Sequence, residues 1–186
     1  MSKIILGFVG DLAAGKGTVA KYLQEKYHCN TYRFSTMLRD ILNRIYVENS
    51  RENLQLISKV IRENFGQDVM SAVIAKDVEN DQNELVVVDG IRRPTDITYL
   101  QNLKGFHLIY VTADVKIRFE RLVTRQENPD EKNKTFEQFL QDEKAEADML
   151  IKELGSKAEK TINNDSTLEK LYNKIENILK DYGYKN

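Results

Sequence analysis

The stretch GDLAAGKGT, from Gly10 to Thr18, decides the fold of this 186-residue chain. It follows the short apolar run IILGFV at residues 4–9 and leads into a segment with helical spacing at residues 18–27. A glycine-rich loop that carries a lysine between a strand and a helix is the pattern of a phosphate-binding loop. A plain glycine-containing turn that happens to carry a lysine is the alternative. We predict a strand, a loop that holds polyphosphate, and a helix.

The residue types of this loop suit a triphosphate. Glycines let the backbone turn its N–H groups inward, the helix N-terminus adds partial positive charge, and Lys16 adds a full one. The position after the lysine, usually a Ser or Thr that meets Mg²⁺, is Gly17, so Thr18 is the predicted metal-side hydroxyl, directly or through water. The predicted ATP-binding residues of the loop are Gly10, Asp11, Ala13, Ala14, Gly15, Lys16, Gly17 and Thr18.

Composition narrows the class of protein. The chain has 28 basic and 29 acidic residues, a formal charge of -1, so no overall charge points to nucleic acid or to an anionic membrane. Cys29 is the single cysteine, which excludes an internal disulfide and fits a small buried apolar side chain in a cytoplasmic protein. We expect one domain over residues 1–186, small-molecule nucleotide partners, and a monomer or homodimer.

Hydrophobic patterning predicts an α/β protein. Apolar runs predict strands at residues 4–9, 31–34, 85–88, 108–111 and 160–162. Helical spacing predicts helices at residues 18–27, 36–46, 52–65, 68–78, 97–103, 115–125, 136–153 and 168–182. The alternation favours a three-layer αβα sandwich around a five-stranded parallel sheet.

Several residues are candidates for helix ends and for a lid. We expect N-caps at Asp114, at Thr135 with Gln138 in the capping box, and at Ser166 with Glu169, and we expect Gly155 to end the long helix. The polar stretch QENPDEKNK at residues 126–134 interrupts two helices and is the predicted short lid.

A second stretch, VVVDGIRRP at residues 86–94, ends an apolar strand in an acid, a glycine and two arginines. Open α/β sheets place ligands at the carboxyl ends of their strands, and a carboxylate there can hold Mg²⁺ or its waters. Asp89 is therefore the predicted metal-binding carboxylate. The alternative is a turn-capping aspartate followed by two solvated arginines, Arg92 and Arg93.

Two further clusters supply cations. In RFSTMLR at residues 33–39, Ser35 or Thr36 can cap a helix that carries Arg39 one turn inside, so these groups are candidates for one phosphate; Arg39 paired with Asp40 or solvent is the alternative. In the second cluster, helical spacing places Arg118, Arg121 and Arg125 near one face, where a solvated row is the usual outcome. Phosphoryl transfer needs such cations, and we favour Arg121 and Arg125 over Arg118.

These stretches, in this order, resemble the nucleoside monophosphate kinase branch of the P-loop kinases over nearly the whole chain. The GKGT ending is similar to that of the adenylate kinase group, and residues 35–39 resemble a shortened STGDMLR segment that grips the acceptor phosphate. The resemblance implies an acceptor-binding helical region at about residues 35–80 and a magnesium-associated Asp89. It also implies acceptor contacts by Ser35, Thr36, Arg39 and Arg93, with Arg92 as the competing candidate.

The C-terminal part resembles a different group. TINNDSTLEKL at residues 161–171 is similar to the VIDNxGSLEEL segment of dephospho-coenzyme A kinases, which implies that Asn163 and Asn164 lie near the ATP base. An Asn-rich turn before the last helix is the alternative.

The type of acceptor separates the candidate functions. A hydroxyl acceptor gains from a carboxylate that takes its proton, whereas a phosphate acceptor is already an anion. Dephospho-coenzyme A kinases typically carry a DAD-like acidic segment after the second strand, and the stretch here is YRFS at residues 32–35. We therefore expect γ-phosphoryl transfer from Mg-ATP to a (deoxy)nucleoside monophosphate; the alternatives are a dephospho-coenzyme A kinase and a nucleotide-binding ATPase switch.

The predicted catalytic residues are Lys16, Arg93, Arg121 and Arg125. Acceptor specificity is expected in the helices between Asn43 and Asn80. Candidates there for reading a base are the polar residues Gln55, Arg62, Asn64 and Gln67, although exposed helix faces are polar by default.

Overall fold

A five-stranded parallel sheet forms the centre of the protein. The structure is a computed structural model that describes residues 3–125, 134–143 and 146–185. The strands are β1 Ile4–Gly10, β2 Asn30–Arg33, β3 Leu85–Ile91, β4 Phe106–Thr112 and β5 Lys160–Asn163. They lie in the order β2-β3-β1-β4-β5, and every neighbouring pair is parallel. The predicted α/β fold is confirmed.

Helices cover both faces of this sheet. They are α1 Lys16–Tyr27, α2 Phe34–Arg44, α3 Arg51–Phe65, α4 Val69–Asn80, α5 Val115–Arg125, α6 Phe136–Asp142, α7 Glu146–Ser156 and α8 Leu168–Asp181. One apolar core joins the sheet to α1 and α8, and a second joins it to α2, α4 and α7. No helix within the described ranges has the length and apolar character needed to cross a bilayer.

The single long helix predicted at residues 136–153 is wrong. The structure has two helices, α6 and α7, because their apolar residues enter different cores. Phe139 of α6 packs with Ala13 of the glycine-rich loop, whereas Leu154 of α7 packs on the sheet. Gly155 is the penultimate residue of α7, within one residue of the predicted helix end, and an added Cβ would lie 2.9 Å from the Tyr110 ring, so this glycine lets α7 approach β4.

The helix predicted at residues 97–103 is also wrong. Two short 3₁₀ turns, Pro94–Ile97 and Leu100–Asn102, replace it. Ile97 ends the first turn and Leu100 begins the second, and both side chains are buried in the same apolar core.

Local signals at helix starts were correct in two cases. The Asp114 carboxylate accepts from the N–H of Lys116, and Thr135 and Gln138 form the predicted capping box. The cap predicted at Ser166 is wrong, because the Thr167 hydroxyl accepts from the N–H of Lys170.

The cap predicted at Ser35 or Thr36 is wrong as well. Helix α2 begins at Phe34, and its N-cap residue Arg33 makes no side-chain cap bond. Ser35 and Thr36 therefore lie in the first helical turn, where backbone N–H groups lack helical partners.

The carboxyl ends of β1, β2 and β3 meet at one edge of the sheet. Strand β1 pairs Phe8 with Asp89 and Val9 with Ile91, so the register shifts at Gly90, whose φ is 85°. This irregularity follows Asp89 directly and lies beside the loop after β1. Of the lid predicted at residues 126–134, all but Lys134 lie outside the described residues.

Candidate nucleotide-binding site

The loop between β1 and α1 adopts a backbone that only certain residues tolerate. Ala13 and Gly15 both have positive φ, at 59° and 103°. An added Cβ on Gly15 would lie 2.5 Å from the Asn164 Nδ2 atom, so glycine is required there by both conformation and space. The first N–H groups of α1 have no helical carbonyl partners and are available to an anion.

Lys16 lies at the start of α1 with its amino group folded over the loop. Its Nζ donates to the carbonyl oxygens of Gly10, at 2.6 Å, and Asp11, at 2.8 Å. Burial lowers the pKa of Lys16 to about 8, with Asp89 opposing the change and the charges of Arg92 and Arg125 adding to it. A phosphate in the loop would replace the carbonyl partners and raise this pKa.

Asp11, predicted to bind ATP, turns its side chain away from the loop opening. Its carboxylate accepts from the Tyr110 hydroxyl at 2.9 Å and from the Thr112 hydroxyl at 2.6 Å. Burial and the bond to Asp11 raise the pKa of Tyr110 to about 12, so the phenol remains a donor at neutral pH. The Asp11 side chain therefore braces the loop from β4, and the backbone alone remains for phosphate.

Arg118 is a second brace, and it does not belong to a solvated row. It is 5% exposed, its Nε donates to the Ala113 carbonyl at 2.9 Å, and its Nη1 donates to the Leu12 carbonyl at 3.4 Å. The Asp11 carboxylate lies 3.9 Å from Nε, and Glu143 accepts from Nη1. Arg118 thus joins the loop to α5 and to the end of α6.

Arg121 and Arg125 lie on the same helix, α5. Arg121 donates from Nη2 to the Asn164 carbonyl at 2.8 Å, while its Nη1 is buried without a hydrogen-bond partner. A buried guanidinium N–H without a partner is costly, so a ligand oxygen there would complete the site. The charge of Arg125 is close enough to Lys16 to lower its pKa.

The two asparagines implied near the adenine both bond to the protein. The Asn164 side chain donates to the Ala14 carbonyl at 2.9 Å and is buried against Gly15. The Asn163 side chain accepts from the N–H of Asp165 at 3.1 Å. Asn164 therefore holds the phosphate loop in shape from the β5 side.

Asp89 lies at the end of β3 and is paired with an arginine that sequence reasoning missed. Its Oδ2 lies 3.0 Å from the Arg33 Nε, and its Oδ1 accepts from the N–H of Gly90 at 2.8 Å. Arg33 and Asp89 are direct neighbours in the β2–β3 register. Aligning the ends of the two predicted strands, residues 31–34 and 85–88, would have placed Arg33 opposite Val87, so the pair required the observed register.

Asp89 and Thr18 are the residues that would hold a magnesium ion, because a carboxylate and a hydroxyl supply the oxygen ligands that Mg²⁺ prefers. Mg²⁺ takes one or two protein oxygens and keeps several waters, so one carboxylate and one hydroxyl are sufficient beside substrate phosphates. Each Asp89 oxygen has one protein partner and keeps a further lone pair. Among the described residues there is no cluster of three acidic, His or Cys side chains of the kind that holds a metal without substrate.

The residues predicted to bind the acceptor are all exposed. Ser35, Thr36 and Arg39 are exposed on α2, and Arg92 and Arg93 are exposed after β3. The charge of Arg92 acts on Lys16, which places Arg92 beside the phosphate loop.

One residue expected to read a base is elsewhere. Arg62 is 6% exposed and pairs with the buried Asp96 at 2.7 Å, so its side chain lies in the protein interior. The sequence gives no signal for this ion pair, because Arg62 lies in α3 and Asp96 lies in the turn after β3, 34 residues away.

Relatives of this chain match along nearly its full length. A UPF0200 protein of Sulfurisphaera tokodaii is 29% identical over 178 residues, which is 95% of this chain and 96% of that protein. Among solved structures, shikimate kinase from Bacteroides thetaiotaomicron is similar at a TM-score of 0.65 and 14% identity, covering 95% of this chain and 98% of that one.

Shikimate kinase from Acinetobacter baumannii, solved with shikimate, is similar at a TM-score of 0.58 and 18% identity, with 98% and 96% coverage. These TM-scores show that the chain shares the fold of these kinases. The model of the AAA domain family matches residues 9–139, which include the loop, both braces and the turn after β3. The chain therefore belongs to the AAA domain family and has a P-loop kinase-like fold.

Proposed function

We propose that this protein transfers the γ-phosphoryl group of ATP to the phosphate of a nucleoside or deoxynucleoside monophosphate. The observation that carries the proposal is the Arg33–Asp89 pair. Arg33 occupies the end of β2, where an enzyme that phosphorylates a hydroxyl benefits from a carboxylate that takes the hydroxyl proton. The Arg33 Nε atom lies 3.0 Å from the Asp89 carboxylate at the end of β3, so the arginine offsets the charge of this acid.

The donor side has the groups that ATP needs. Lys16 and the amides of the loop would hold the β- and γ-phosphates, because the lysine is already folded over the loop opening. The unpartnered Nη1 of Arg121 and the nearby charge of Arg125 would stabilise the phosphoryl group in transfer.

The acceptor side is cationic and exposed. Arg39, Arg92 and Arg93 follow the ends of β2 and β3, at the same edge of the sheet as Lys16. Guanidinium groups bind phosphate with two parallel hydrogen bonds, so they position an anionic acceptor and offset its repulsion from ATP.

The chemistry on this proposal needs no general base. An oxygen of the acceptor phosphate forms a bond to the γ-phosphorus, the bond from that phosphorus to the β–γ bridging oxygen breaks, and ADP leaves with the electron pair. Asp89 and Thr18 would hold Mg²⁺, which neutralises charge on the phosphates when it is bound. The chain itself positions both phosphates and keeps its cations around them.

The geometry disfavours a hydroxyl acceptor such as dephospho-coenzyme A. Of the carboxylates that the structure describes at the loop and at the end of β3, Asp11 accepts from Tyr110 and Thr112, and Asp89 pairs with Arg33. Neither is poised to take a proton from a hydroxyl. The solved shikimate kinases share the fold with this chain, so shikimate belongs in the same test.

The experiment is a coupled assay of ADP release from Mg-ATP with ribo- and deoxyribonucleoside monophosphates, dephospho-coenzyme A and shikimate compared side by side. We expect strong stimulation by a monophosphate. Stimulation by dephospho-coenzyme A or shikimate alone would contradict a phosphate acceptor. ATP hydrolysis that no acceptor stimulates would favour an ATPase switch.

A further inference from the structure

The buried pair of Arg62 and Asp96 connects the helices beside the acceptor side to the turn that carries Arg92 and Arg93. Arg62 lies in the last turns of α3, and its Nη2 donates to the Asp96 Oδ1 at 2.7 Å. Their side chains are 7% and 3% exposed, so water does not screen the pair.

Asp96 uses its other oxygen to hold the arginine turn. Its Oδ2 accepts from the backbone N–H of Arg92 at 2.9 Å and from that of Arg93 at 3.0 Å. The N–H of Asp96 in turn donates to the Arg93 carbonyl at 2.9 Å. One carboxylate therefore fixes the backbone of both arginines while their side chains remain exposed.

Arg62 also holds the junction between α3 and α4. Its Nη1 donates to the Gln67 carbonyl, and the Gln67 side chain donates back to the Arg62 carbonyl at 3.4 Å. The Nη1 atom also lies 3.5 Å from the Thr95 hydroxyl, next to Asp96. The guanidinium thus joins three segments: α3, the α3–α4 junction and the turn after β3.

We propose that Arg62 and Asp96 are positioning residues that set the orientation of Arg92 and Arg93 toward the acceptor phosphate. This inference rests on the proposed function for its acceptor. One buried ion pair links α3 to the arginine turn, so on this inference acceptor recognition depends on two residues that do not touch the acceptor.

The test compares Arg62→Gln, Asp96→Asn and the double variant R62Q/D96N. Lys59→Gln is the control, because Lys59 lies on the same helix in an exposed pair with Glu63. In R62Q we expect backbone amides at residues 92–93 to exchange with deuterium about tenfold faster, with β1 unchanged, because Asp96 loses its anchor. We also expect the acceptor KM to rise about tenfold while the ATP KM stays constant.

The double variant distinguishes coupling from general damage. In D96N, the amide NH₂ group faces the Arg62 guanidinium, so two donors meet. In R62Q/D96N, the new glutamine can accept a hydrogen bond from that NH₂ group. The increase in acceptor KM in the double variant should therefore be smaller than the product of the increases in the two single variants. If R62Q does not fold, Arg62→Lys is the substitute, because lysine keeps the charge but lacks the planar guanidinium group. In R62K, amide exchange at residues 92–93 and the acceptor KM should both rise, by less than is expected for R62Q.

Unchanged amide exchange at residues 92–93 in R62Q, or in R62K if it replaces R62Q, overturns the inference. So does faster exchange with an unchanged acceptor KM. A wild-type enzyme that no acceptor stimulates overturns the proposed function instead, and it is recognised before any variant is made; amide exchange still decides whether Arg62 and Asp96 hold the turn.

Discussion

The two halves of the site are built differently. On the nucleotide side, the loop is braced from three directions: by Tyr110 through Asp11, by Arg118, and by Asn164. On the acceptor side, the helices expose large apolar side chains, with Leu56 58% and Phe65 73% exposed. The phosphate loop is therefore held in shape by the protein itself, whereas the residues that we propose for the acceptor are exposed cations.

This difference predicts that the entropic cost of binding differs between the two halves of the site. A preorganised loop costs little to order when phosphates bind, whereas long exposed side chains lose conformational freedom when they close on a ligand. We expect substitutions in the nucleotide half to cost more than matched substitutions in the acceptor half.

The largest effect is expected from Lys16→Ala. It removes the cation folded over the loop, and we expect kcat for phosphoryl transfer to fall by about 10³-fold, measured by ADP release. Lys21→Ala is the matched control, because Lys21 lies on the same helix and is 75% exposed in its pair with Glu25. Near-normal turnover in K16A would remove this lysine from the site.

The next largest effect is expected from Asp11→Ala, which tests the brace. It leaves the Tyr110 and Thr112 hydroxyls unpaired and removes a buried carboxylate near Arg118. We expect the free energy of unfolding to fall by about 3 kcal/mol and ATP to bind more weakly, measured by denaturation and by calorimetry. Asp181→Ala, in an exposed pair with Lys160, is the control. Equal stability losses in the two variants would show that Asp11 is not a brace.

A smaller effect is expected from Arg39→Ala on the acceptor side. Loss of one exposed guanidinium should raise the acceptor KM by about tenfold and leave the ATP KM unchanged, measured by steady-state kinetics. Arg44→Ala, at the exposed end of the same helix, controls for charge. An unchanged acceptor KM and kcat/KM in R39A would place Arg39 outside the site.

An effect of about the same size is expected from pH. Because the pKa of Lys16 is lowered to about 8 in the free site, this lysine loses its proton as pH rises above 8. Bound phosphates favour the charged form, so ATP binding near pH 8 should take up about half a proton, and affinity at pH 9 should be about tenfold below that at pH 7. Calorimetry in buffers of different ionisation enthalpy measures the uptake.

Lys16→Arg provides the matched comparison, because arginine stays charged over this range. The loss of affinity between pH 7 and pH 9 should be smaller in this variant. The same loss in both proteins would assign the pH dependence to another group.

The comparison between the two halves also explains what the sequence predicts. Lys16 and Asp89 were found from the sequence because a loop motif and the end of an apolar strand fix their positions through the backbone. The brace by Asp11 and the buried Arg118 were missed, since their partners on β4 and α6 are distant in sequence. The division of residues 136–156 into two helices was missed because helical periodicity continues while the core beneath it changes.

Our proposal that the acceptor is a phosphate rests on the pairing of Arg33 with Asp89. Identifying the product of the reaction tests this proposal most directly. We would follow Mg-ATP and a mixture of nucleoside monophosphates by phosphorus NMR. We expect a monophosphate resonance to disappear as diphosphate resonances grow, with two diphosphates formed for each ATP consumed. Formation of ADP and inorganic phosphate with the monophosphates unchanged, or a new phosphomonoester on a hydroxyl acceptor added in place of the monophosphates, would contradict a phosphate acceptor.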